Sequence, residues 1–239
     1  MKSWITTGLL AALMWGAGLA AAAQPALEAL PEALEIELAL SAAPEHWRAG
    51  ATVYVLDPAN GFRVAKEGDN GTACLVGRTQ RQRPIYRDDL LIPVCFDSEG
   101  VATHLPRWFD VEALRAQGMS APELHETIKR NYETGTYRAP TRTGFAPMLS
   151  PILIVFAGKD ATEPVLLNYP HLMFYAPGVS MEDIGARRFA DPIYPWVNAP
   201  GPHGFIIQAM GSAEKAAINQ SYAEMAEALC ALKEKWCLE

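Results

Sequence analysis

The chain has 239 residues, half of them hydrophobic and 20% charged, with a formal net charge of −7. These proportions suit one globular domain with a useful core and leave little room for two full-sized ones. The acidic balance lacks the basic footprint of a nucleic-acid binder, and no polybasic run points to anionic lipid.

Residues 1–23 read as a cleavable secretory signal peptide. Lys2 precedes an apolar stretch from Trp4 to Ala17, and Ala21-Ala22-Ala23 fits the small-x-small rule for cleavage before Gln24. The apolar run is short for spanning the ~30 Å of a bilayer's hydrocarbon, and no later stretch is a candidate span. The expectation is a single α+β domain over residues 24–239, periplasmic or secreted.

In the mature chain, Pro31 to Ala43 predicts a helix, with a stripe of Ile36, Leu40, Ala43 and Trp47. Glu35 and Glu37 on it point to different faces and make no carboxylate pair. A β-meander is expected next. Its strands are Thr52–Leu56, Phe62–Lys66, Thr72–Arg78 and Leu90–Phe96, punctuated by Asp57-Pro58-Ala59-Asn60-Gly61 and Gly68-Asp69-Asn70-Gly71. Pro93 makes the fourth an edge strand or a bulged one. Two short helices follow. Asp110 is read as the cap of Val111 to Gln117. Ser120 and Glu123 form a capping-box pattern before a stripe of Leu124, Ile128 and Tyr132.

Beyond Phe145, Ile152–Phe156 reads as a central strand, with further strands at Val165–Asn168, His171–Tyr175 and Phe205–Met210. Residues 177–202 read as a long ordered loop of the kind that is often functional. A final long helix begins with Ser212 as its cap and carries Ile218, Tyr222, Met225, Leu229, Leu232 and Trp236 as a stripe. The whole predicts a mostly antiparallel sheet, an N-terminal helix, two short middle helices and a long C-terminal helix packed on the sheet.

The four cysteines of an exported chain are read as disulfides. Cys74 and Cys95 sit in neighbouring strand-like runs and suit a cross-strand bridge. Cys230 and Cys237, seven apart on a helix, stand ~10.5 Å from each other, and pairing them requires the helix to unwind near Trp236. Phosphate loops, GxGxxG after a strand, HExxH, metal-finger cysteines and GxSxG are all absent from the sequence.

The pieces Glu35-Ile-Glu-Leu-Ala-Leu-Ser-Ala-Ala-Pro44, Asn70-Gly-Thr-Ala-Cys74-Leu-Val76, Pro93-Val-Cys95-Phe96, Met148-Leu-Ser150 and Pro170-His-Leu-Met-Phe-Tyr-Ala-Pro177 occur in this order. Together they resemble a family of uncharacterised exported bacterial proteins with no assigned activity. The resemblance implies the compartment, marks His171 and the two strand cysteines as family features, and supplies no catalytic residue.

Among the five histidines, His125 reads as a surface residue, His46 as one that favours the dipole at the end of the first helix, and His104 as uninformative. His171 and His203 each stand where a loop meets a strand, and Glu182, Asp183 and Asp191 lie between them. With Tyr175 on the His171 strand, they form the candidate site: two imidazoles and a carboxylate for a metal or a general base, covered by the loop from Gly178 to Pro202. The arrangement requires the two strands to be parallel, because antiparallel neighbours hold the histidines about one strand length apart. Three functions compete. The favoured one is an exported protein binding a small molecule or an envelope partner. The second is an extracytoplasmic hydrolase or lyase using His171 and His203, with or without a metal. The third is an envelope protein that pairs through its last helix.

Overall fold

The structure, a computed structural model, describes residues 25–80, 82–83, 85–158, 160–185 and 194–238. The leader, its cleavage point before Gln24 and Asp191 lie outside the described residues.

The chain is α+β with mostly antiparallel sheets, as the alternation of β-branched runs and turn residues predicts. The first sheet holds β1 (Thr52–Asp57), β2 (Gly61–Lys66), β3 (Ala73–Gly77) and β4 (Ile92–Phe96) in the order β2-β1-β3-β4. This is no meander, because β3 pairs parallel to β1, on the side away from β2. No crossover helix is needed, since β2 returns the chain to the starting end of β1, where Val53 faces Lys66 and Thr52 faces Ala73. The link between β2 and β3 is held under that end. Asp69 and Asn70 donate backbone N–H to the Gly50 carbonyl, and Lys66 Nζ donates to the Ala51 carbonyl at 2.8 Å. β4 is an edge of this sheet, which tolerates Pro93.

Both faces of the first sheet are buried, by alternate residues. Val53, Cys74, Val76 and Cys95 pack on one side under α1 (Glu32–Ser41) and the C-terminal helices. Leu75, Val94 and Phe96 pack on the other side, against the second sheet and Trp108. The buried face of α1 is Glu35, Leu38 and Ala39, followed by Ala42 just past its end, with Ile36 and Leu40 only partly covered. The predicted stripe was thus centred about a third of a turn off. Glu35 is buried and accepts the Leu56 N–H at 2.9 Å, while Glu37 faces solvent.

Cys74 and Cys95 lie directly opposite in the β3–β4 ladder and are disulfide-bonded, with Cα atoms 4.1 Å apart. In the chain-entropy picture a loop of this length stabilises the fold by ~3 kcal/mol.

The helical middle differs from expectation. After a short helix α2 (Glu45–Arg48) and the first sheet come α3 (Ser98–Thr103), α4 (Leu105–Ala116) and α5 (Ala121–Glu133). Asp97 caps α3 by accepting the Gly100 N–H. α4 starts five residues ahead of Asp110, with Pro106 in its first turn, where a missing N–H costs nothing. Asp110 is therefore inside the helix and accepts the Tyr137 hydroxyl. The capping box of Ser120 and Glu123 opens α5 as predicted.

The second sheet is fully antiparallel in the order β5-β8-β10-β9, from β5 (Phe145–Met148), β8 (His171–Tyr175), β9 (Trp196–Asn198) and β10 (Phe205–Ala209). The run Ile152–Phe156 is not its central strand. Only Ile154–Val155 (β6) pairs, with Val165–Leu166 (β7). The run is apolar on both sides because Ile152 and Ile154 enter one core cluster while Leu153 enters the other.

The last helix is two helices, α6 (Ser212–Ser221) and α7 (Ala223–Leu232), and Gly211 rather than Ser212 stands at the N-cap. The helix breaks at Tyr222 (φ −120°, ψ 23°), which turns its ring into the core beside Arg48. Met225 and Leu229 follow it into that cluster, where α7 meets α1. Tyr222, Met225, Leu229 and Trp236 of the apolar stripe are buried, Ile218 is partly covered and Leu232 is exposed. α7 ends at Leu232, Lys233 is extended, and a 3-10 turn at Glu234–Trp236 brings Cys237 back to bond Cys230, Cα atoms 4.3 Å apart. The tail is fastened by Lys233 to Asp88, Lys235 to Asp89 and the Trp236 indole N–H to the Asp89 carbonyl. Among the described residues, no helix is long and apolar enough to cross a membrane.

Candidate functional site

Strand direction decides the predicted histidine pair. β8 and β10 run antiparallel, with Ala209 opposite His171 and Phe205 opposite Tyr175. His203, two residues before Phe205, therefore stands at the far end of the strand from His171, ~13 Å or more away at ~3.4 Å per residue. The two imidazoles share no site. This removes the geometric basis for a metal held between them, and for the hydrolase or lyase reading built on both.

The four candidate residues have separate surroundings. His171 is buried at the start of β8, its Nδ1 2.7 Å from the Tyr169 carbonyl, so the ring proton sits on that nitrogen. Burial pulls its pKa down to about 4, against the opposing pull of that carbonyl. It lines a largely apolar concavity of about 540 Å³ with Leu153, Leu167 and Trp196. Asp183 is exposed and closes a turn on Ser180. It accepts both the Ser180 N–H and hydroxyl at 2.8 Å, and the backbone bond is the main cause of its lowered pKa. Tyr175 is buried, and a side chain at Gly100 would collide with its hydroxyl. Burial, and then the nearby Asp97 carboxylate, push the phenol well above its ordinary range, so it stays protonated.

His203 leads to a different constellation. The imidazole of His104, at the start of α4, lies 5.7 Å from that of His203 and 4.7 Å from the Tyr175 ring, centroid to centroid. Phe205 covers His104 at 4.6 Å, and Tyr132 of α5 meets His203 edge-on at 4.7 Å. His104, His203, Phe205 and Tyr132 border a cavity of about 160 Å³ between the two sheets. Strands supply an apolar floor: Ile92 and Phe96 from β4, Met148 from β5, Met173 from β8 and Phe205 from β10. Loops, helix ends and the last residue of β9 supply a polar rim: Gln82, His104, Arg107, Tyr132, Asn198 and His203. Tyr175 stands behind His104, outside the lining. Tyr132 and His203 also border an outer concavity of about 500 Å³, and so stand where the cavity meets the surface.

The walls are held from behind. Trp108 packs so closely on Gly77 that no side chain fits there, and the Arg107 guanidinium lies 4.0 Å over the Trp108 ring. Gln80 is tied at both ends of its amide to the Phe156 backbone. Thr79 donates to Glu112 and accepts from Arg115, part of a buried network that includes Arg78. Burial raises the pKa of Glu112 against the stabilising bonds from Arg78 and Thr79, and lowers those of Arg78 and Arg115 against the nearby carboxylates.

Sequence reasoning missed His104 and Arg107. The available signal was their spacing: residues 104, 107 and 108 fall at i, i+3 and i+4 and share one face at a helix start. Assigning the cap to Asp110 put them outside any helix. Among the described residues, no group of three or more His, Cys, Asp or Glu is placed to hold a metal. Compared with protein-family models, curated proteins and solved structures, the chain matches none.

Proposed function

We propose that this chain is an exported binding protein that takes a compact small molecule into the cavity between its two sheets. The observation that carries the reading is the division of the lining, with an apolar floor of strand residues and an orienting polar rim from loops, helix ends and the end of β9. The volume is close to that of an apolar cavity that admits benzene, so the ligand is about one ring in size. Two disulfides and the leader-like start support a site of action outside the cytoplasm. The resemblance to exported bacterial proteins points the same way.

Two measurements test this. Expressed with its own leader, the chain is expected outside the cytoplasm with an intact mass starting at Gln24, and an external species still starting at Met1 overturns the leader. Methyl resonances of labelled methionines read the cavity directly. Benzyl alcohol and benzoate, each added to about 10 mM to detect Kd values near 1 mM, are expected to move Met148 and Met173 and to leave Met119 and Met225 in place. No movement of Met148 and Met173 by either compound overturns the binding site.

A further inference from the structure

We infer that the concavity beside His171 is a second ligand site, and that it takes a neutral phenol whose hydroxyl donates to His171 Nε2. The site lies between the β6–β7 hairpin and the second sheet, with Lys215 of α6 at its edge. It does not rest on the cavity between the two sheets, although Val155 and Asn198 border both spaces. Its volume of about 540 Å³ falls within the roughly 300–1,000 Å³ of small-molecule sites. The first basis is the state of the imidazole. His171 is 4% exposed, and burial keeps it neutral at ordinary pH. A neutral imidazole has one N–H and one ring lone pair. The Tyr169 carbonyl, 2.7 Å from Nδ1, takes the N–H. Nε2 therefore carries the lone pair, and among the described residues no donor is bonded to it. A buried acceptor left unmet is costly, and a donor brought by a ligand removes that cost.

The second basis is the sign of what the lining lacks. Asn168, in the same lining, turns its amide NH2 to Asn219 Oδ1 at 2.9 Å, and its own Oδ1 is buried with no partner among the described residues. Both unmet atoms are acceptors, so the occupant has to bring a proton and not a lone pair. Among the described lining residues Lys215 is the only charged side chain, and there is no aspartate or glutamate. An organic ammonium would meet a cation there with no carboxylate to hold it. A carboxylate has no proton to give Nε2. A neutral donor remains. The third basis is the wall. Leu153, Leu167 and Ile207 are aliphatic, and Phe156 and Trp196 add rings. The Trp196 indole N–H donates to the Tyr169 hydroxyl at 3.2 Å, so these two rings turn polar tips to each other. Such a wall favours an aromatic body. An aryl hydroxyl is more acidic than an alkyl one and so the stronger donor to a ring nitrogen. One hydroxyl on a flat apolar body matches the concavity.

The test compares para-cresol with its methyl ether on the unmodified, oxidised protein carrying isotope-labelled histidine, so it does not depend on any variant folding. The ether keeps the ring and the oxygen and loses the proton. Para-cresol is expected to bind about tenfold more tightly, the scale of one buried hydrogen bond gained. It is also expected to move the Trp196 indole resonance and to shift His171 Nε2 upfield, the direction of an accepted hydrogen bond. Para-methylbenzylamine is expected not to bind there. His171→Phe keeps a ring and removes the acceptor, and is expected to reduce the para-cresol advantage to within about twofold. Equal affinities for para-cresol and its ether in the unmodified protein overturn the donor role. An advantage that survives undiminished in a folded His171→Phe variant overturns the assignment to Nε2. Para-cresol shifts at Met148, with His171 and Trp196 unmoved, overturn the second site and leave the cavity between the sheets as the binding site. No binding of any of the three compounds overturns the second site alone, because benzoate and benzyl alcohol decide the first one separately.

Discussion

Replacing Glu112 by leucine is expected to remove ~3–5 kcal/mol of stability, the scale of breaking one side of a buried charged network. Glu112 is fully buried on α4, and its two oxygens accept the Arg78 N–H at 2.8 Å and the Thr79 hydroxyl at 2.9 Å. Arg115, one turn on, donates to the Arg78 carbonyl, the Thr79 hydroxyl and the Pro25 and Arg87 carbonyls. Arg78 donates to the carbonyls of Glu28 and Leu90. Leucine deletes the carboxylate, which removes the main counter-charge of Arg115 and one of the carboxylates, after Glu35, that face Arg78. Glu112→Gln keeps one acceptor oxygen and is expected to lose less. The double variant Glu112→Leu/Arg115→Leu is expected to lose less than the two single losses added together, because it removes the stranded charge along with its partner. Urea unfolding of the oxidised protein measures all four. A Glu112→Leu loss under 1 kcal/mol would show that the network is not a stabilising element. Thr79 and Gln80 border the ligand cavity, so Glu112→Leu is also expected to weaken benzoate binding without touching the ligand.

The second large effect is acid sensitivity from His171. An unfolded imidazole titrates near 6.5, and burial holds the folded one near 4. Between those values the unfolded chain takes up a proton that the folded chain refuses, so stability falls as pH falls through this window. Each pH unit is worth ~1.4 kcal/mol for one proton, and the whole window ~3 kcal/mol. Above pH 6.5 His171 contributes no slope. Asp89 does not interfere: burial alone would raise its pKa, but the bonds and charges of Arg87 and Lys235 outweigh that and hold it at about 2. The buried carboxylates Glu35 and Glu112, raised by burial, slope the opposite way, and comparison with His171→Gln subtracts them. Urea midpoints at pH 7.0 and 4.5 are the measurement, with pH values chosen to bracket that ~3 kcal/mol window. The unmodified protein is expected to lose more stability than His171→Gln between the two. Parallel loss in both would show that this imidazole is not the group responsible.

What the sequence makes legible follows from the range of the interactions involved. β1 to β4, β8 and β10 are readable because each is a short β-branched or aromatic run between turn residues. The strand order is not, since the parallel pairing of β3 with β1 depends on where β2 delivers the chain. The final stripe reads as one helix because Tyr222, Met225 and Leu229 do face a single core, and only the backbone break at Tyr222 interrupts it. The candidate site was half visible. His203 was within reach, but the ring it meets is that of His104, about a hundred positions away, and no spacing rule links residues that meet only through two sheets and a helix end. His171 was picked for its place at a strand start, and its partner there is a local carbonyl.

The two disulfides have a consequence for the order in which the chain oxidises. Both close short loops, with separations of 21 and 7 residues. The alternative pairings join Cys74 or Cys95 to Cys230 or Cys237 across well over a hundred residues. Loop closure costs (3/2)RT times the logarithm of loop length, so in the unfolded chain the native pair of bridges is favoured by roughly 4 kcal/mol, on the order of a thousandfold. On loop closure alone, thiols meeting at random in the unfolded chain are therefore expected to favour their native partners before any sheet forms. A chain oxidised before folding is then expected to have β3 tethered to β4 and its tail looped, with few scrambled bridges to undo.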